Sequence, residues 1–304
     1  MKKRIFILGI SGLTGTKLQY QANEFEVFGS YNLRNQQENG IKRIKIDVSN
    51  SEKIERILRE IKPDVLINTS GINNVDYCET HHEEVKKINV DAVKDISEIT
   101  KDLQIKLIHL STDSVFNGKK DSPYTEEDIP DPINYYGKTK MLSEKIVLEN
   151  PENLVIRTSV LYGWLPKTYA KLPSSSLKPV NFAQWLIEKL LVKDSVKIIT
   201  DELDSPIIAE DFAKSIIHLL KLDKSGIFHS APPIQISRYD FSVKLAKMLD
   251  LDDKLIQPIL NKDLGREIAT GKNKCLDSTK MSKETGFNFL TLDDSLKMLK
   301  QQIK

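Results

Sequence analysis

A chain of 304 residues, 39% hydrophobic and 29% charged, can bury a sizeable core as one large domain or two modest ones. Its net charge is +2, with lysines and glutamates interspersed, which argues against a nucleic-acid or polyanion binder, whose basic residues gather in a stripe. Two distant cysteines, Cys78 and Cys275, five histidines without ligand spacing and no apolar run near the roughly 18 residues that cross a bilayer point to a reducing cytoplasm, no metal site and no membrane span.

The first residues, "MKKRIFILGI", imitate a signal peptide, but the apolar run is short and passes into a glycine-rich turn without a cleavage site. "RIFILGI" (4–10) is therefore expected to be a strand buried on both faces of a parallel sheet. "FEVFGSYN" (25–32) and "IKRIKIDVS" (41–49) read as the next strands. Between Ser49 and Pro63 the apolar residues Ile54, Ile57, Leu58 and Ile61 recur at helical spacing, with Ser49 or Ser51 as the expected cap and Glu52 placed for a capping box with Ser49. "DVLINTSG" (64–71) is a further buried strand, Val75 to Asp102 a long helical region, and "IKLIHLSTDSVF" (105–116) a strand with a polar end. A helix over about Asn134–Leu148 leads into "NLVIRTSVLYG" (153–163), read as one strand.

Strand and helix alternate with short links, so the fold class is α/β: a doubly wound parallel sheet, with ligands expected outside the carboxyl ends of its strands. Residues 1–162 are expected to form the dinucleotide-binding domain, joined by a later strand and helix from about 183–200. Residues 163–304 are expected to form a smaller, partly helical substrate domain. The segment 163–182, rich in proline and serine, reads as an irregular excursion.

Gly9, Gly12 and Gly15 follow the first strand as G-x-x-G-x-x-G. Gly9 suits the tight turn, Gly12 a close approach of backbone to a pyrophosphate, and Gly15 close helix–strand packing. The helix that begins there offers free N–H groups to phosphates. At the end of the second strand stand Ser30 and Tyr31, with Arg34 just beyond and no acid among them, an arrangement that suits a 2′-phosphate and predicts NADP(H) in preference to NAD(H). Asp47 is placed for the adenine and "TSG" (69–71) for the ribose. Farther on, Tyr136 and Lys140 share a helix face. A neighbouring ammonium is expected to lower the phenol's pKa, so that Tyr136 serves as proton donor, Lys140 holds the nicotinamide ribose, and Thr112 at a strand tip holds a carbonyl oxygen.

The combination resembles the extended short-chain dehydrogenase/reductase family. It is most similar to the dTDP-4-dehydrorhamnose reductase branch, through "STDSVFNG" (111–118), "PYTEEDIPDPINYYGKTKMLSEK" (123–145), "VIRTSVLYG" (155–163), "SPIIAEDFAKSI" (205–216) and "LDSTKM" (276–281). The resemblance implies Thr112, Tyr136 and Lys140 as the catalytic set and Gly9, Gly12, Leu13, Thr14, Ser70 and Gly71 as cofactor contacts, with Ser111 beside the nicotinamide ribose. Ser11 in the turn and Val48 beside Asp47 complete the expected cofactor shell. A nucleotide-linked sugar is the implied substrate, near Ser114, Val115 and Val160, and a homodimer is one implied assembly. The chain departs from the branch at Ser114, where an aromatic usually follows "STD", at Val160, where tryptophan is usual, and in "TGKNKCLD" (270–277), where "RP-x-NS" is expected. These changes leave open a reductase of another sugar or of another carbonyl. The regulatory β-subunit of methionine adenosyltransferase resembles the same branch, so an NADP-binding, non-catalytic regulator is the alternative.

Overall fold

A computed structural model of the chain describes residues 2–34, 40–166, 181–263, 265 and 270–303. Most of the expected 163–182 excursion lies outside the described residues. In chain order the first part contains β1 (Arg4–Leu8), α1 (Leu13–Gln21), β2 (Glu26–Tyr31), β3 (Lys42–Lys45), α2 (Ser51–Ile61) and β4 (Val65–Asn68). There follow α3 (Val75–Thr80), α4 (His82–Lys86), a π-helical turn at Lys87–Asp91, α5 (Ala92–Asp102), β5 (Lys106–Thr112), α6 (Tyr135–Val147), β6 (Leu154–Thr158) and β7 (Leu161–Tyr162). The remainder holds α7 (Phe182–Leu191), β8 (Val196–Ile199), β9 (Leu203–Asp204), β10 (Ile207–Ile208), α8 (Ala209–Lys221) and β11 (Gly226–Ser230). Last come β12 (Ile236–Ser237), α9 (Arg238–Met248), β13 (Ile256–Ile259), α10 (Thr279–Thr285) and α11 (Leu292–Ile303).

Seven strands form one parallel sheet in the order β3-β2-β1-β4-β5-β6-β11. Strand alternation divides its contacts between two layers. Ile5 and Ile7 of β1 face α1 and α8 with Leu18, Phe212 and Ile216, whereas Phe6 and Leu8 face α2 and α5 with Ile54, Leu58 and Ile96. The strand order reverses at β1, so a crevice opens above β1 and β4 at their carboxyl ends. A second core lies beyond the sheet, where Leu186 and Ile187 of α7, Val196 and Ile198 of β8, Phe241 and Leu245 of α9, and Leu296 and Leu299 of α11 pack together.

Several expected elements take a different form. The later contribution to the large sheet is β11 with α8 laid over the sheet, not residues 183–200: β8 pairs in parallel with β13 and its apolar residues fill the second core. The run 153–163 is two strands, since β6 belongs to the large sheet and β7 turns away to pair with β10. The long helix of 75–102 is broken at His81, which leaves helical geometry at φ −128°. The cap of α2 is Asn50, whose side chain accepts from the Lys53 N–H at 2.9 Å. Ser49 instead donates to Asp47, so the expected capping box does not form. Among the described residues no helix is long and apolar enough to cross a membrane.

Candidate active site

One cleft of about 450 Å³ runs along the carboxyl edge of the sheet and is closed on its far side by the second core. Its near end is the turn between β1 and α1. Gly9 sits at φ +82° and its N–H donates to Ser30 Oγ at 3.3 Å, so Ser30 braces the turn from beneath. A Cβ on Gly15 would lie 2.4 Å from Gly9 O and 2.6 Å from Ile10 Cα, so only glycine lets α1 start this close to β1. Gly12, Leu13 and Thr14 then line the cleft directly, as do Ser70 and Gly71 after β4 and the buried Arg34 after β2.

Thr112, Tyr136 and Lys140, the set expected from the sequence to be catalytic, all line this cleft. α6 is capped by Asn134, whose side chain accepts from the Gly137 N–H at 2.8 Å. Gly137 is obligatory for the approach, because a Cβ there would fall 2.0 Å from Ser114 O. The first turn of α6 therefore lies against the turn that ends β5, and Tyr136 comes under Thr112. From behind, the π-helical turn presents Asn89, which bonds both the N–H and the carbonyl of Ile72 at 2.9 Å and donates to Thr139 Oγ1 at 3.3 Å. Asn89 thus ties the loop after β4 to α6.

The electrostatics differ from the expectation in one respect. Burial pushes the Tyr136 phenol well above its ordinary value; a hydrogen bond with Thr112 works the other way and the nearby Asp113 carboxylate adds to the rise. The Lys140 amine is not among the groups that lower it; Lys140 lines the cleft, and its Nζ lies 2.8 Å from His109 Nε2. Burial brings Lys140 itself down to about 8, against a smaller opposing pull from Glu144. Asp113 is raised by burial and accepts from Thr112 Oγ1 (3.0 Å) and Ser159 Oγ (2.8 Å). Ser111 donates to Glu144, which is bound by Arg157 at 2.9 and 2.7 Å in a fully buried pair.

Not every expected residue reaches the cleft. Ser114 and Val160 line it, but Val115 is fully buried among Phe116, Tyr124, Ala231 and Leu276 and has no face toward a substrate. Its neighbour in the motif turns outward because the chain makes a single 3₁₀ turn at Asp113–Val115. Ser11 is buried beside the turn, Tyr31 is half-buried at the end of β2, and Asp47 with Val48 follows β3; none of the four lines the cleft. Asp47 accepts from the N–H and hydroxyl of Ser49, both at 2.9 Å.

The far wall holds residues that motif reading passed over: Phe182, Glu202, Arg238, Thr270 and Lys274. Lys274 Nζ stands 3.3 Å from both Glu202 Oε2 and Asp204 Oδ1, and Arg238 Nε is 3.0 Å from Asp204 Oδ2. The one sequence signal for this wall was the altered "TGKNKCLD" segment, which carries Thr270 and Lys274.

Comparison with known proteins adds to the geometry. A family model described as RmlD substrate binding domain matches residues 2–304. The chain is 32% identical to the probable low-salt glycan biosynthesis reductase of Haloferax volcanii, over 97% of this chain and 96% of that one. It is 28% identical to the methionine adenosyltransferase 2 subunit beta of Bos taurus, over 84% and 75% of the two chains. Among solved structures it is similar to a hypothetical dTDP-4-dehydrorhamnose reductase from Sulfolobus tokodaii, with 31% identity, TM-score 0.80 and 95% and 98% coverage. The dTDP-4-dehydrorhamnose reductase from Bacillus anthracis, solved in complex with NADP, has the same fold, at TM-score 0.86, 22% identity and 99% and 100% coverage.

Proposed function

The chain belongs to the RmlD substrate binding domain family, and on that premise we propose that it is an NADPH-dependent reductase of the 4-keto group of a nucleotide-linked deoxysugar. The observation that carries the reading is the convergence of Thr112, Tyr136 and Lys140 on the cleft whose other end is the Gly12–Thr14 turn. The residues fit a dinucleotide, since Gly15 clears the space that a Cβ would fill and Gly12 leaves backbone bare at the cleft floor. Gly12, Leu13, Thr14, Ser70 and Gly71 would hold its phosphates and riboses, Arg34 a 2′-phosphate, and Lys140 the nicotinamide ribose.

When bound, a reduced nicotinamide supplies the hydride that adds to the carbonyl carbon. With substrate bound, the Thr112 hydroxyl would turn its one hydrogen from Asp113 to the carbonyl oxygen and orient it. Tyr136, kept as a neutral phenol by its burial, passes its proton to that oxygen as the new C–H bond forms, and the product is an alcohol. Ser114 and Val160, where an aromatic residue is usual in the branch, would border the sugar. The relatives named as reductases support this reading.

The test is an absorbance assay at the reduced-cofactor band with a dTDP-4-keto-6-deoxysugar. Cofactor should be consumed with a higher kcat/KM for NADPH than for NADH, and Arg34→Ala should erase most of that preference. Tyr136→Phe should lower kcat by about 10²-fold or more while NADPH still binds. Retention of most activity by Tyr136→Phe would remove the assigned donor. Binding of NADPH with no oxidation by any keto-sugar, together with stoichiometric capture of a synthetase subunit, would support the regulatory alternative.

A further inference from the structure

His109 on β5 is fully buried behind the cleft, and both of its ring nitrogens have assigned neighbours. Nδ1 is 3.3 Å from Asn68 Nδ2. The Asn68 amide cannot turn over, because its Oδ1 already accepts from the Ser70 N–H (3.1 Å) and the Ser70 hydroxyl (2.5 Å). Asn68 Nδ2 must therefore donate toward the ring, and a neutral imidazole that accepts at Nδ1 carries its hydrogen on Nε2. Nε2 faces Lys140 Nζ at 2.8 Å and Ser143 Oγ at 3.1 Å, while the Ser143 hydroxyl donates to Lys140 O at 2.8 Å.

A ring N–H aimed at an amine is a bond only if the amine offers a lone pair; an ammonium would meet it hydrogen to hydrogen. The charged groups around the pair are few. Glu144, one turn along α6, favours the ammonium, but its carboxylate is engaged by Arg157 from β6 and by Ser111 from β5. Tyr136 on the same helix is a neutral phenol. We propose that Asn68 and His109 are positioning residues for Lys140: by fixing the imidazole as its Nε2–H tautomer they favour the neutral amine and set the pH at which Lys140 changes charge. Burial acts in the same sense, holding His109 neutral and bringing Lys140 down to about 8.

The proposal rests on Lys140 belonging to the reactive set, but its test does not require turnover. In ¹⁵N-histidine-labelled protein without cofactor, the signal lost in His109→Phe should show the Nε2–H tautomer at neutral pH. NADPH affinity measured against pH should show a step near that Lys140 value. Asn68→Asp keeps the shape, still accepts from Ser70, and replaces the donor with an acceptor. The ring should then switch to Nδ1–H, its Nε2 lone pair should accept from the ammonium, and the step should move up by about one pH unit or more. An Nδ1–H signal in the wild type, or the same step in both proteins, overturns the proposal. If Asn68→Asp fails to fold, the wild-type tautomer alone decides. Absence of any keto-sugar reduction would count against the catalytic reading and leave the tautomer result intact.

Discussion

Lys140 is 6% exposed, and Glu144, the carboxylate that favours its charge, is bound to Arg157, so its ammonium form is poorly compensated. Its pKa falls from 10.5 in the unfolded chain to about 8 in the fold, so between those values the unfolded state holds more protons and stability rises with pH. The full benefit is present above about 10.5 and is lost as pH falls through about 8, a cost on the order of 3 kcal/mol at neutral pH. Lys140→Met keeps the stem and removes the charge, leaving the ring N–H of His109 to Ser143. At pH 7 the variant should be more stable than the parent by about 1–3 kcal/mol while losing turnover, and the gap should close by pH 10. Thermal unfolding of the cofactor-free protein at both pH values measures this. A variant less stable at both would mean that the amine supports the fold as well as the chemistry. The motif around Lys140 was legible in the sequence, because Y-x-x-x-K on a helix after "STD" already names a face and a strand tip. The direction of the amine was not, since it depends on His109, 31 residues away and recognisable only as one buried residue of a strand.

At the level of elements, residues that report on their own burial were legible and residues that report on a partner were not. The stripe Ile54, Ile57, Leu58, Ile61 specified α2 and its buried face, and "RIFIL" specified a strand covered on both sides. An apolar run does not say which sheet it joins, which is why 183–200 was expected in the large sheet and β7 was expected as a continuation of β6. The loop carrying Thr270 and Lys274 is another case, for its position depends on two glycines far apart in sequence. A Cβ on Gly271 would lie 2.5 Å from Gly118 Cα and 2.7 Å from Asn117 O, both backbone atoms that cannot step aside. Gly271→Ala should therefore push the 270–274 segment off the 117–118 turn, breaking the 3.1 Å bond from the Asn273 N–H to Gly118 O. That segment forms the wall opposite the cofactor end of the cleft. The expected result is a rise of about tenfold or more in KM for the sugar nucleotide, from misplacement on the order of 1 Å, with NADPH affinity changed much less. An equal loss in both affinities would show that the displacement spreads to the β1–α1 turn.

Across the whole molecule, the cleft exists because two cores meet along the carboxyl edge of the sheet, and a buried set of charges spans the junction. Asp113 follows β5, and Ser159 beyond β6 bonds it at 2.8 Å and accepts from the Ser205 N–H at 3.2 Å. Asp204, Glu202, Lys274 and Arg238 come from the later part of the chain. The parallel sheet and the edge that bears the site followed from strand alternation, but these partners did not, because a lysine in a loop and a glutamate in a loop carry no mark of mutual contact. Burial opposes the charge on Lys274, yet Asp204, then Glu202 and Asp113, hold its pKa above the ordinary lysine value. Its contribution is thus complete below the unfolded value of 10.5 and lost only as pH rises through the folded one. Asp204 is held below 3.8 although burial pushes the other way, because Lys274 and Arg238 outweigh it, so its contribution is present above that value and fades as pH falls through the lowered one. Lys274→Met strands Glu202 without its cation and leaves Asp204 with Arg238 alone. The loss at pH 7 should be about 3 kcal/mol, the scale expected when one partner of a buried pair is removed. In the variant a buried carboxylate stranded without Lys274 can relieve its cost by protonating as pH falls, while the parent keeps its own contribution above 3.8, so the difference should narrow toward pH 4. Urea unfolding of the two proteins at pH 7 and pH 4 measures it, and a loss of equal size at both would mean that Lys274 acts through packing of its stem, leaving the charges across the junction without a role in joining the two cores.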